Sequence, residues 1–256
     1  SLKQLHYPLR YMRFAIFLGV IIAMTAARVS AQGPVVLYDP VSKLPERGHT
    51  DAEEKIVRDK LVPKAAARWS EIEACDGGSL NIIGAVDGSF TKAGAKQRVL
   101  LYELCQTGNG LANNGLAVIE NGRVVAHFAE EGGWNLEIAR VPDLNRNGRD
   151  ELAVETGGGM HQGYMGASLT VMELTESAAA DIGVFLVYTN ECEVPVADKY
   201  CERSYKLTAA AGAKPSFMAQ KFTNRGDDQQ PRWVAAGKPL RAKRLAGVTS
   251  KYEVLK

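Results

Sequence analysis

From residue 80 to the C-terminus, apolar positions come in short runs split by Gly, Asn and Asp, and no 3.6-residue periodicity persists for long. That texture predicts β-strands, with candidates at 97–104, 116–120, 123–128, 136–141, 152–155, 168–174, 182–188, 204–208 and 252–255. Asn121-Gly122 separates two of these runs. It predicts a type I′ hairpin, because both central positions of that turn need positive φ and Asn and Gly tolerate it best. Ahead of the strands, Thr50-Asp51-Ala52-Glu53 has the form of a capping box, and Ile56, Val57 and Leu61 fall near a helical stripe. Pro63 should end or kink that helix, with residues 65–69 adding a further turn, and the helix should pack on the main domain. Residues 32–50, rich in Pro and Gly, read as an extended lead-in. The expected fold is mainly β and antiparallel, as propeller-like blades or a sandwich, with an N-terminal helix.

The N-terminus has a different texture. Residues 14–24 are an unbroken small-or-apolar run, preceded by Arg10 and Arg13 and followed by Val29-Ser30-Ala31. That order predicts a secretory signal peptide over residues 1–31, cleaved after Ala31. The run is too short to span a bilayer as a helix, which needs about twenty residues, so no membrane span is expected once the signal is removed. The expected organisation is therefore a signal peptide (1–31), a lead-in and helix (32–72) and a β domain (73–256), in a secreted or periplasmic protein. Charge follows the same division. The formal net charge of +2 includes four basic residues and no acid in the signal, and the remainder holds 27 basic and 29 acidic residues. A near-neutral body with no basic run argues against nucleic acid as the main partner, since that binding rests on neutralising phosphates.

Export also decides how the cysteines are read. Cys75, Cys105, Cys192 and Cys201 are an even set in a chain bound for an oxidising compartment. Three pairings are open to them. Short loops close most readily, which favours Cys75–Cys105 with Cys192–Cys201. No Cys-x-x-Cys pair supports a zinc ribbon or thioredoxin-type site.

The most informative stretch is Asp143-Leu144-Asn145-Arg146-Asn147-Gly148-Arg149-Asp150-Glu151-Leu152. Oxygen-bearing side chains at 143, 145 and 147 can turn inward together if the loop coils tightly, with Gly148 supplying the bend. Arg149 would offer its backbone carbonyl, and Glu151 or Asp150 would close the shell. Hard oxygens in a flexible ring suit Ca²⁺ better than Mg²⁺. The twelfth position is Val154, so this is not an EF-hand. The stretch also belongs to a degenerate repeat with residues 89–97 and 221–229. All three share a bulky apolar residue, then Thr or Asn, a Gly four positions after the apolar one, and Gln or Glu three further on. The two sister loops lack the acidic ligands and should hold no ion.

The decapeptide resembles the calcium loop of FG-GAP/VCBS repeats, found in the β-propeller blades of integrin α subunits and in many exported bacterial proteins. The pattern there is Asp-x-Asn/Asp-x-Asp-Gly-x-x-Asp/Glu-Leu, lying between two strands. The resemblance implies Asp143, Asn145, Asn147, Glu151 and the carbonyl of Arg149 as calcium ligands, and residues 73–256 as a β domain with degenerate FG-GAP-like repeats. Asn147 stands where the family usually carries Asp.

Other signals carry less. Arg225-Gly226-Asp227 spells an adhesion tripeptide inside the third repeat turn, and residues 157–166 form a glycine-dense loop without the Gly-Lys-Ser/Thr end of a phosphate cradle. No Gly-x-Ser-x-Gly elbow and no His-Glu-x-x-His appears. The expected function is an exported, non-catalytic binding or structural module for a protein or glycan partner, with one structural Ca²⁺ loop. The alternative is an envelope or secreted hydrolase using His161 with Glu155 and Asp143, which lie on neighbouring segments.

Overall fold

A computed structural model describes residues 33–42, 48–68, 80–108, 111–159, 162–194, 201–227 and 230–255. The signal segment 1–31, Cys75 and His161 lie outside them. Each of the nine expected strands is present, most of them longer than the patterning indicated. In chain order the elements are β1 (Val35–Tyr38), α1 (Asp51–Ile56), a π turn (Val57–Leu61), α2 (Val62–Arg68), β2 (Asn81–Gly88), β3 (Gln97–Gly108), β4 (Leu111–Glu120) and β5 (Arg123–Gly132). They continue with β6 (Trp134–Val141), β7 (Glu151–Gly157), β8 (Met165–Leu174), β9 (Ala179–Asn190), β10 (Glu202–Ala210), β11 (Ser216–Asn224), β12 (Trp233–Ala235), β13 (Leu240–Arg241) and β14 (Glu253–Val254). The chain is mainly antiparallel β.

The strands fall into two sheets. The smaller runs β14-β5-β4-β3-β2. The larger runs β12-β11-β10-β9-β8-β7-β6, with β1 added on β10 and β13 on β11. Asn121 (φ 51°) and Gly122 (φ 71°) turn β4 into β5 with both central residues at positive φ, as the hairpin signal requires.

Side-chain parity explains why several strands read as continuous apolar runs rather than alternating ones. Along β3, Val99 and Leu101 face β6, β7 and β8 of the larger sheet, in a core shared with Phe128, Leu152 and Met172. Leu100, Tyr102 and Leu104 face the other way, onto Val57, Leu61 and Ala65 of the helix. On β7 and β8, Leu152, Val154 and Met172 look toward the smaller sheet. Ala153, Leu169 and Val171 look into the concave side of the larger one, against Leu37, Phe185, Val187 and Leu207. Both sheets are thus covered on two faces where these strands lie, and alternation with polar residues disappears. Residues 34–256 make one unit, with the helix packed into it as expected.

The helix begins where the sequence places it. The Glu53 amide donates to Thr50 Oγ1 at 3.3 Å, and the Thr50 amide donates to Glu53 Oε2 at 2.8 Å, closing the capping box. Thr50→Ala should cost about 1 kcal/mol of unfolding free energy, read from a denaturant melt. Pro63 does not end the helix. The Val62 amide reaches back to the carbonyl of Val57, five residues away, so one wide turn resets the hydrogen-bond ladder immediately before the proline. Pro63 then occupies the second position of α2, where a missing amide is tolerated.

Cys192 and Cys201 form a disulfide with a Cα–Cα separation of 4.8 Å, joining the end of β9 to the start of β10. Cys105 is disulfide-bonded as well, and its expected partner Cys75 is outside the described residues. Among the described residues, no helix is long and apolar enough to cross a membrane.

Candidate metal centre in the β6–β7 loop

Two of the three repeat loops share one geometry. Residues 89–96 connect β2 to β3, and residues 142–150 connect β6 to β7. In the first, Phe90 is buried and Gly94 has φ 72°; in the second, Leu144 is buried and Gly148 has φ 84°. Seven residues after the apolar anchor, a side-chain carbonyl or carboxylate reaches back to the start of the loop. Gln97 Oε1 accepts from the amides of Phe90 at 3.0 Å and Thr91 at 2.8 Å. Glu151 Oε2 accepts from the amide of Leu144 at 2.8 Å, and the amide of Asn145 also bonds this carboxylate. In the third loop, Asn224 Oδ1 accepts from the amides of Gly226 and Arg232, while residues 228–229 lie outside the described set. The Arg225-Gly226-Asp227 tripeptide is tied into that turn.

The two anchors differ at their second terminal atom. Gln97 Nε2 donates to Thr91 Oγ1 at 2.7 Å and to Glu120 Oε2 at 2.8 Å, so the centre of its loop is closed by N–H donors. The matching atom in the second loop, Glu151 Oε1, is a buried oxygen with no hydrogen-bond partner. Glu151 is 1% exposed. Burial first, and the Asp143 carboxylate beside it, push its pKa up to about 7 despite the backbone donors. A buried acceptor without a donor is a place for a cation or a proton.

The rest of the loop turns its oxygens toward the same turn of chain. Asp143 accepts from the amides of Asn147 at 2.9 Å and Gly148 at 2.8 Å. Asn145 Oδ1 accepts from Asn147 at 3.1 Å, and Asn147 Oδ1 from Arg149 at 2.8 Å. Each amide oxygen keeps a second lone pair. Asp150 is not part of this set: its carboxylate takes the Ser89 amide at 2.8 Å and Arg140 at 3.0 Å, locking the two sister loops together. Glu151 is therefore the carboxylate positioned to close the shell. The Arg149 side chain leaves the loop for the carbonyl of Leu174 and the carboxylate of Glu173.

Glu173, on β8, is the participant the sequence did not disclose. It accepts from Asn145 Nδ2 and Asn147 Nδ2, each at 2.9 Å. Those bonds fix which end of each amide faces away, and so aim both Oδ1 atoms back at the loop. The pairing Leu152↔Met172 places Glu173 at the base of the loop, and only strand register could have revealed it. No three His, Cys, Asp or Glu side chains form a metal-binding group among the described residues. A cation here would rest on Asp143 and Glu151, the amide oxygens of Asn145 and Asn147, and the Arg149 carbonyl. That all-oxygen set with an orphaned anionic oxygen fits Ca²⁺.

Of the residues of the hydrolytic alternative, His161 lies outside the described residues, and Glu155 lies within β7. Asp143 lies before the start of β7, and the glycine-rich stretch follows its end, seven residues on, which is about 20 Å of extended chain. Gly157, Gly158 and Tyr164 instead border a cavity of about 470 Å³ that also contains Glu130. No family model, no curated protein and no solved structure matches this chain.

Proposed function

We propose that the chain is an exported, non-catalytic binding or structural module in which one Ca²⁺ ion fixes the β6–β7 connection. Asp143, Asn145, Asn147, Glu151 and the carbonyl of Arg149 hold the ion. The observation that carries this reading is the unpartnered Glu151 Oε1, set against the sister loop where a glutamine amide does the ion's work with its own donors. A glutamine would satisfy the same two backbone amides without a buried charge. The charge makes sense if something positive meets it. Export is supported by the arrangement of residues 1–31 and by a disulfide, which persists in oxidising compartments. The partner of such a module is a protein or a glycan.

Two carboxylates and neutral oxygens in an extracellular-type loop correspond to a dissociation constant on the order of 10⁻⁴–10⁻³ M. At 1 mM Ca²⁺, a site of about 0.1 mM adds about 1.4 kcal/mol by linkage. For a domain of this size that raises Tm by about 3–5 °C. Differential scanning calorimetry with and without Ca²⁺ tests it: the parent protein should shift, and Asp143→Ala should lose the response. A parent Tm indifferent to Ca²⁺ would remove the proposal.

A further inference from the structure

A second site is suggested by the gap between the helix and the free side of the smaller sheet, where the calcium loop plays no part. This gap is a cavity of about 700 Å³, within the range that takes small organic ligands. Leu61 and Leu255 supply apolar wall, and Lys60, Lys64 and Arg123 stand around it. Among the described residues, no hydrogen bond or ion pair engages any of these three cations. Glu176 is the only acid on the lining. An apolar wall bordered by three exposed cations without a protein partner carries an excess of positive charge.

Its floor carries a second, independent feature. His127 is 3% exposed, and its ring stacks on Tyr102 with 6.1 Å between centroids. Nε2 is hydrogen-bonded to the Tyr102 hydroxyl, and Nδ1 is buried without a partner. Burial raises the Tyr102 pKa, so that hydroxyl keeps its proton and can donate it to Nε2. Nδ1 is left as a buried ring nitrogen with nothing to bond. Burial, with Lys64 nearby, pushes the His127 pKa down to about 4, so the ring is neutral at physiological pH. Ammonium and guanidinium groups without a partner suit anionic oxygens.

We propose that this cavity binds a small amphiphilic organic anion. Its apolar body lies against Leu61 and Leu255, and its anionic head sits among Lys60, Lys64 and Arg123, over the buried His127. The site is separate from the calcium loop and stands whether or not that loop holds an ion.

Isothermal titration calorimetry on the full chain tests this with octanoate, octyl phosphate, octylammonium and inorganic phosphate as probes. At least one of the two anionic amphiphiles should bind with Kd below about 1 mM. Which one binds identifies the head as carboxylate or phosphate. The surface variant Lys64→Glu/Arg123→Glu should keep its Tm and weaken that binding by about tenfold or more. Failure of both anions to bind, equal binding of octylammonium, equal binding of inorganic phosphate, or a double variant with unchanged Kd would each overturn the assignment.

Discussion

At pH 8 and without calcium, Glu151→Gln is expected to stabilise the fold, by up to about 3 kcal/mol. The carboxyl at this position titrates near 7 in the folded chain and near 4.5 when unfolded. Below about pH 4.5 both states hold the proton and nothing is lost. As pH rises toward 7 the unfolded chain ionises first, so the calcium-free fold loses stability, and above about 7 the loss is complete. Glutamine has no proton to lose. At position 151 its amide can also repeat the bonds of Gln97, with Oε1 on the backbone amides and Nε2 toward Asn145, the counterpart of Thr91. The same substitution should abolish any response to Ca²⁺. Denaturant melts of both proteins across pH 4–8, in EDTA and in millimolar Ca²⁺, separate these effects. A Gln variant less stable than the parent at pH 8 would mean that the buried carboxylate is satisfied by something other than an ion.

Gly115→Ala should be strongly damaging. Gly115 on β4 lies directly across from Tyr102 on β3. A Cβ at this position would stand 2.6 Å from Cε1 of the Tyr102 ring, and nearer still to Cζ and the hydroxyl. Tyr102 is fully buried between the helix and the sheet, so the ring has nowhere to move without displacing Leu61, Ala65 or His127. Overpacking of this kind costs about 3 kcal/mol or somewhat more, equivalent to a Tm lowered by about 6–12 °C. The change should also disturb the His127 ring and weaken anion binding in the adjoining cavity. A variant that melts within a degree of the parent would show that the tyrosine does not rest on the glycine.

Much of this architecture was legible in the residues, and the gaps have physical causes. The capping box, the Asn121-Gly122 hairpin and the nine strands follow from local chemistry, and local chemistry decides them. β1, β2, β11, β12 and β13 escaped notice because pairing partners stabilise them, not their own patterning. β1, for instance, is a four-residue strand held on β10. Pro63 predicts an end or a kink because the rule treats the ladder as uniform; the helix continues, with a π turn immediately before the proline. At the candidate site, the proposed ligand positions 143–151 were visible as spacing, and so was the repeat to which they belong. Glu173 was not, because its place depends on the register of β7 against β8. Asp150 and Glu151 could not be told apart by spacing alone. Contact with Ser89 and Arg140 turns one outward, and the amide of Leu144 turns the other in. In the sequence His127 sits apart from any acidic or thiol pair. Its meaning comes from Tyr102, the helix and three cations that the fold gathers around it.

The central claim is that Glu151 Oε1 faces a calcium ion. Calorimetric titration of the calcium-stripped protein with CaCl₂ at pH 8 is its most direct test. The account predicts one site, with a dissociation constant on the order of 10⁻⁴–10⁻³ M, lost in Glu151→Gln. No saturable heat in the parent protein, or unchanged binding in that variant, would contradict it.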